Sequence, residues 1–387
     1  MRRLTIGLVV VVLLFGAVQV RADTIFVGLG DLPGGQYFSR ATDVSGDGST
    51  VVGFSETANG SQAFRWTAGG GITVLGNSSY SSRAWAVSGD GSVAVGSRDN
   101  GVGAEIRIQP YRWDTTSGVG TPVDAWVSGG VAYDVSADGS VIVGQRGGTG
   151  YGFRTENTVS SPELRSPQGW HSGAYAVSAD GEIVVGDGQR AEGTPYTADY
   201  RAWWEATKWD PPWDPWTAPH QAFGEGLGRL GGGDSTALAI SADGTTIVGK
   251  SGNEAVRFEP GGIISLGSLP GNGESGAQAV SADGSFVFGL SRGETFIWDE
   301  ANGMRSLEDV LETEYGLNLL GWELGSVEGV SADGTTLVGY GTTPDGRTEA
   351  WLARMTTPVP EPSTLIIWSL LGGLGLGVGW WRRGRNR

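Results

Sequence analysis

The tetrad Ser-x-Asp-Gly occurs seven times along this chain, and every copy carries the same neighbours at the same offsets. The copies are Ser45-Gly46-Asp47-Gly48, Ser88-Gly89-Asp90-Gly91, Ser136-Ala137-Asp138-Gly139, Ser178-Ala179-Asp180-Gly181, Ser241-Ala242-Asp243-Gly244, Ser281-Ala282-Asp283-Gly284 and Ser331-Ala332-Asp333-Gly334. The intervals between the Asp residues are 43, 48, 42, 63, 40 and 50. Val or Ile precedes each Ser, a Gly stands six residues after each Asp, and the pair before that Gly is apolar. A unit that recurs in this way folds as the repetition of one supersecondary element.

Within each unit an apolar run precedes the tetrad and a β-branched run follows it, so Asp-Gly marks a hairpin. The Asp side chain accepts backbone N–H groups in the turn and Gly takes the positive φ, which gives Asp47, Asp90, Asp138, Asp180, Asp243, Asp283 and Asp333 a structural turn role. An aromatic segment comes next, read at Ala63-Phe64-Arg65-Trp66, Tyr111-Arg112-Trp113, Gly152-Phe153-Arg154, Ala202-Trp203-Trp204, Val256-Arg257-Phe258, Phe296-Ile297-Trp298 and Ala350-Trp351-Leu352. A glycine turn and a short strand such as Ile72-Thr73-Val74-Leu75-Gly76 complete four strands per unit. Four short strands in such a length are the content of a β-propeller blade. The last unit lacks its fourth strand, and residues 24–30 supply an orphan one. The expected fold is therefore an all-β, seven-bladed propeller closed by the N-terminal strand, with a β-solenoid as the alternative. Closing the ring removes exposed strand edges.

The units resemble the HAF repeat, an extracellular bacterial repeat with the pattern Ala-Phe-Arg-Trp and Val-Ser-x-Asp-Gly-x-x-Val-Val-Gly. Ala63 to Trp66 carries the first element and Val44 to Gly53 the second. The resemblance covers roughly residues 24 to 355; Thr155 replaces the Trp in the third unit, and the fourth unit is long. It implies architecture and no enzymatic activity.

The two ends read as addresses. Residues 1–22 hold a basic start and an apolar run with small residues before a cut near Ala22, the pattern of a secretory signal peptide, with an uncleaved membrane anchor as the alternative because Arg21 stands so close to the cut. Residues 23–357 form the repeat domain, and residues 358–387 are a separate tail. In that tail, residues 365–381 are apolar and uncharged, a helix rising about 26 Å and just able to span a bilayer. Arg382, Arg383, Arg385 and Arg387 keep its end cytoplasmic and leave the body outside. Pro360-Glu361-Pro362, the apolar run and the Arg cluster together resemble the PEP-CTERM sorting signal of exported Gram-negative proteins. That resemblance implies transient anchoring in the inner membrane, processing by an exosortase-type protease, and a place on the cell surface or in extracellular polymer.

Composition excludes whole classes of function. There is no Cys, so there is no disulfide, thiolate metal site or Cys nucleophile, and the His residues number two, His171 and His220. Removing both ends leaves 19 of the 26 basic residues and 41 of the 42 acidic ones, a body that repels nucleic acid and anionic lipid. Neutral sugars, cations and basic envelope proteins remain as partners. Asp43-x-Ser45-x-Asp47 and Asp134-x-Ser136-x-Asp138 resemble the start of a calcium loop, but the other five units have Ala or Gly at the first position and no Glu fills the twelfth, so turn chemistry without metal or cofactor is the expected role and a calcium-stabilised scaffold is the alternative. The insertion at 200–216 carries Trp203, Trp204, Trp209, Trp213 and Trp216 among prolines and acids. Trp203 or Trp204 belongs to the blade core, while Trp209, Trp213 and Trp216 are candidates for stacking on sugar rings; a hydrophobic flap is the alternative. Glu205 and Asp210 form a carboxylate pair of the kind a glycosidase uses, although acidic surfaces produce such pairs often. Asp309, Glu312 and Glu314 mark the solvated face of a short helix within 306–315. The expected function is a non-catalytic binding or structural module of the envelope or its polymer matrix, with a polysaccharide-active enzyme or lectin using 200–216 as the alternative.

Overall fold

The computed structural model describes residues 25–355 apart from 77–78, 100–107, 124–128, 157–158, 161–162, 167–170, 193–200, 210–220, 232 and 272. Seven sheets, antiparallel apart from one parallel pairing in the third, follow one another in chain order. Their first strands, Ser39–Val44, Ser82–Val87, Gly130–Val135, Ser172–Val177, Ser235–Ile240, Gly276–Val280 and Glu323–Val330, touch in succession, and the last returns to the first. The fold is a seven-bladed β-propeller, and the contact between the last and first blades rules out the open coil of a solenoid. Blade 7 is completed by Ile25–Gly28, which pairs antiparallel with Thr348–Arg354 so that Ile25 opposes Arg354. Glu349 locks that strand: one carboxylate oxygen accepts the Gly30 amide at 2.8 Å and the other the Tyr37 hydroxyl at 2.8 Å.

The core lies between blades. Because side chains alternate along a strand, Val51 points toward blade 7 and Val52 toward blade 2, and each interblade gap holds its own buried apolar cluster. In the gap between blades 1 and 2, Val52, Ala63 and Leu75 meet Ala84, Val87, Ala94, Tyr111 and Trp113. The short helix Leu307–Thr313 fills the gap between blades 6 and 7 with Leu307, Val310 and Leu311, and Asp309, Glu312 and Glu314 are exposed as expected.

The glycine six residues past each tetrad Asp has a steric cause. Each inner strand bulges just before its tetrad, between Ala41 and Asp43 in blade 1. The bulge pushes a carbonyl against the second strand: a Cβ on Gly53 would collide with the Arg40 oxygen, and one on Gly339 with the Ser326 oxygen. No larger residue fits without moving backbone.

The fourth unit departs from the sequence reading. Val184 pairs with Trp209 as Val51 pairs with Trp66, so the aromatic segment of blade 4 is Ala206-Thr207-Lys208-Trp209 and not Ala202-Trp203-Trp204. Extra residues lengthen the hairpin instead: Val184–Glu192 and Arg201–Trp209 stay paired to Glu192 opposite Arg201. The chain then visits blade 3, where Gln221–Phe223 runs parallel to Glu163–Arg165, before Glu225–Gly228 completes blade 4. Among the described residues no helix is long and apolar enough to cross a membrane. The segments expected to be a signal peptide and a 365–381 helix, with Pro360, Glu361, Pro362 and the Arg cluster, lie outside the described residues.

Candidate functional site

The tetrad turns repeat one hydrogen-bond scheme. In blade 1 the Ser45 hydroxyl donates to Asp47 Oδ1 at 2.7 Å, the Ser49 amide donates to the same oxygen at 2.9 Å, and the Thr50 amide donates to Ser45 Oγ at 3.0 Å. The six other turns match it, as in Ser331 to Asp333 at 2.6 Å and Thr335 to Asp333 at 3.0 Å. Gly48 sits at φ +70°, the left-handed region where a side chain would be strained. The Ser45 hydroxyl holds the Asp47 carboxyl below the usual carboxylate range, and the corresponding hydroxyls do the same at Asp180, Asp243 and Asp283. Residues at the second tetrad position join blade to blade: the Gly46 amide reaches the Gly89 carbonyl at 2.9 Å, Ala179 reaches Ala242 at 3.0 Å, and Ala332 returns to Gly46 at 3.0 Å. The tetrads thus form a belt round the axis, with their Asp side chains exposed on one face.

Inside that belt runs an axial channel of about 360 Å³, to which all seven inner strands contribute. Its wall is set by the residue three before each tetrad Ser: Thr42, Trp85, Tyr133, Tyr175, Leu238, Gln278 and Glu328. The next residue inward is Asp43 in blade 1 and Asp134 in blade 3, against Ala or Gly in the others. This column was missed in the sequence, yet it carried a signal: every flanking position repeats, and this one changes chemistry from blade to blade.

The two inner aspartates are held identically. Asp43 Oδ1 accepts its neighbour Val44 amide at 2.7 Å, and Oδ2 accepts the Val87 amide of blade 2 at 2.8 Å. Asp134 does the same with Val135 at 2.7 Å and Val177 of blade 4 at 2.8 Å. Protein surrounds both groups although each keeps a surface toward the channel. Burial, aided by the Asp134 charge, pushes Asp43 up to about 8. Burial pushes Asp134 up to about 7 against the pull of its two amides. Asp187 is raised to about 6 by burial and accepts the Tyr175 hydroxyl at 3.2 Å and the Thr236 hydroxyl at 3.3 Å. Glu328 is raised by burial and accepts the Ser326 hydroxyl at 2.7 Å, with Arg40 opposing the shift. Tyr133 and Tyr175 meet edge to face at 5.3 Å.

Sequence candidates fall in different places. Asp43 and Asp47, read together as the start of a calcium loop, hold separate backbone partners, one in the channel wall and one in the exposed turn. The described residues contain no group of three His, Asp or Glu placed to hold a metal ion. Trp209 is not a sugar platform: it is 1% exposed, packs with Val143, Leu164, Val177 and Val184, and donates Nε1–H to the Arg165 carbonyl at 2.8 Å. It occupies the aromatic blade position that the longer hairpin had displaced from Trp203 and Trp204. Trp213, Trp216 and Asp210 lie outside the described residues, as does the side chain of Glu205. His171 is exposed, bonds the Thr149 carbonyl at 2.9 Å and stacks on Tyr151.

No protein-family model matches the chain. No curated protein matches it either. Among solved structures, the β-propeller domain of the Trilobed protease from Pyrococcus furiosus, described as having an open velcro topology, is similar at TM-score 0.53 and 13% identity. That likeness covers 82% of this chain and 98% of the domain. The oligogalacturonate lyase of Vibrio parahaemolyticus aligns at TM-score 0.46 and 10% identity over 88% of this chain and 98% of the lyase. TolB from Acinetobacter baumannii gives 0.41 at 13% identity over 81% of this chain, which spans 65% of TolB's length. The first of these supports the propeller fold, and the fold alone.

Proposed function

We propose that this chain is a non-catalytic binding or structural module of the cell envelope or its extracellular polymer, exported through its N-terminal signal. In this reading the Pro360-Glu361-Pro362 tail anchors it in the inner membrane until an exosortase-type protease processes it. The observation that carries the binding function is the axial channel. Repeats that agree almost everywhere else diverge in the ring of side chains facing it, and Trp85, Tyr133 and Tyr175 offer ring faces beside hydrogen-bonding groups, the make-up of a ligand site. The Trp-rich insertion loses one of its three candidates to the core.

A second reading has one observation in its favour. Asp43 and Asp134 are carboxyls raised to about 8 and about 7 beside a cavity, as a general acid in polysaccharide cleavage requires. Against it, both carboxyls are committed to blade amides.

Retention of labelled envelope polysaccharides on the immobilised full-length chain, with reducing ends assayed in the same samples, separates these readings. Saturable retention without new reducing ends, weakened about tenfold by Trp85→Ala, is expected of a module. Release of reducing ends that is lost in Asp43→Asn would instead establish an enzyme.

A further inference from the structure

Resting on the channel reading above, we propose that the ligand is an extended organic cation carrying two or more ammonium groups. Asp43, Asp134 and Glu328 supply the charge, and Trp85, Tyr133 and Tyr175 supply the ring faces. Three observations converge on this class. Carboxylates from blades 1, 3 and 7 face one channel, and among the described residues that line it there is no Lys or Arg. Arg40 reaches Glu328 electrostatically from beside the channel, but it lies over the Tyr340 ring at 4.0 Å and leaves Asp43 and Asp134 without a cation. With a neutral ligand Asp43 and Asp134 keep their protons and gain no counter-charge, whereas an ammonium group supplies the cation that both lack.

The carboxyls are not grouped for a metal ion, since no three acidic groups among the described residues are placed to hold one. Separate charges on an extended chain match separate carboxylates better than one point charge does. Each oxygen of Asp43 and Asp134 accepts one amide and keeps a second lone pair, so an ammonium group can bind without breaking the interblade bonds. Aromatic faces within the same wall attract alkylammonium groups through the ring quadrupole while the alkyl segment packs on them. The acidic body concentrates such cations near the ring before binding.

Titration of the full-length chain in neutral detergent with spermidine, read by calorimetry at constant ionic strength, tests the assignment. MgCl₂ and neutral oligosaccharides run in parallel. Saturable spermidine binding is expected, weakened about tenfold in Glu328→Gln and more in Asp43→Asn/Asp134→Asn. Glu328→Gln removes no interblade amide bond, so it reads the charge even if the double variant fails to fold. Spermidine heats no larger than those of the ionic-strength control, or binding that all variants leave unchanged, would overturn the proposal. Magnesium binding in place of spermidine would overturn it as well. Oligosaccharide binding lost in Trp85→Ala, with no response to spermidine, would sink the ammonium class and keep the channel as a site. Silence toward every probe from a folded ring would overturn the class and the channel reading together.

Discussion

Asp43 and Asp47 stand four positions apart and titrate in opposite directions. The Ser45 hydroxyl and the Ser49 amide stabilise the charged form of Asp47, whereas Asp43 is enclosed by the ring and faces the like charge of Asp134. Asp47 therefore contributes stability that is present above its unfolded value and lost as pH falls. Asp43 and Asp134 do the reverse: the folded ring holds their protons more tightly than the open chain, and that contribution disappears as pH rises through about 7 and about 8. The melting temperature should peak between these ranges and decline on both sides. Calorimetric scans against pH should show the alkaline decline flattened in Asp43→Asn/Asp134→Asn and the acid decline unchanged. An alkaline limb identical in the two proteins would show that these carboxyls do not govern it.

At the scale of one element, the blade was legible because its landmarks are local. Asp-Gly turns, β-branched pairs and a glycine at a fixed offset belong to one hairpin, and period and turn chemistry locate them without knowledge of the neighbours. What escaped reading depends on two blades at once. Ser39, Ser82, Ser172, Ser235 and Ser275, six residues before their tetrad serines, staple each blade to the one before it. Ser39 Oγ donates to the Gly30 carbonyl at 2.6 Å and accepts the Ala350 amide at 3.0 Å, while Ser82 Oγ accepts the Ala63 amide at 3.1 Å. Trp209 was misplaced for a related reason. The rule that an aromatic segment soon follows the tetrad fails when the hairpin is lengthened, and the Ala-x-Lys-Trp spelling at 206–209 was the better guide. Chemical denaturation should place Trp209→Ala about 3–5 kcal/mol below the parent, the cost of emptying a core site of that size. Ser39→Ala should cost about 1 kcal/mol, a staple's net worth. Loss of ligand retention by Trp209→Ala without loss of stability would restore the sugar-platform reading.

The whole molecule is held by one junction unlike the other six. Elsewhere a blade is completed by the chain that began it; blade 7 borrows its outer strand from residues 319 positions away, as the Gly30 to Glu349 bond records. Deleting residues 25–28 should raise hydrogen exchange across Thr348–Arg354 while the inner strands of blade 3 keep their protection. Equal loss of protection in all blades would mean that the ring opens only as a unit. The same junction sets the order of events as the chain is synthesised and folds. The closing strand is the first part of the ring to emerge and the last to find its partner, so until Arg354 has followed it, it travels as an unpaired edge. Neighbouring unfinished molecules carry the same strand and the same vacant edge on blade 7. Crowding during folding therefore invites exchange of this one strand between copies, and a ring of this design gains from any carrier that shields its first strand until the last blade arrives.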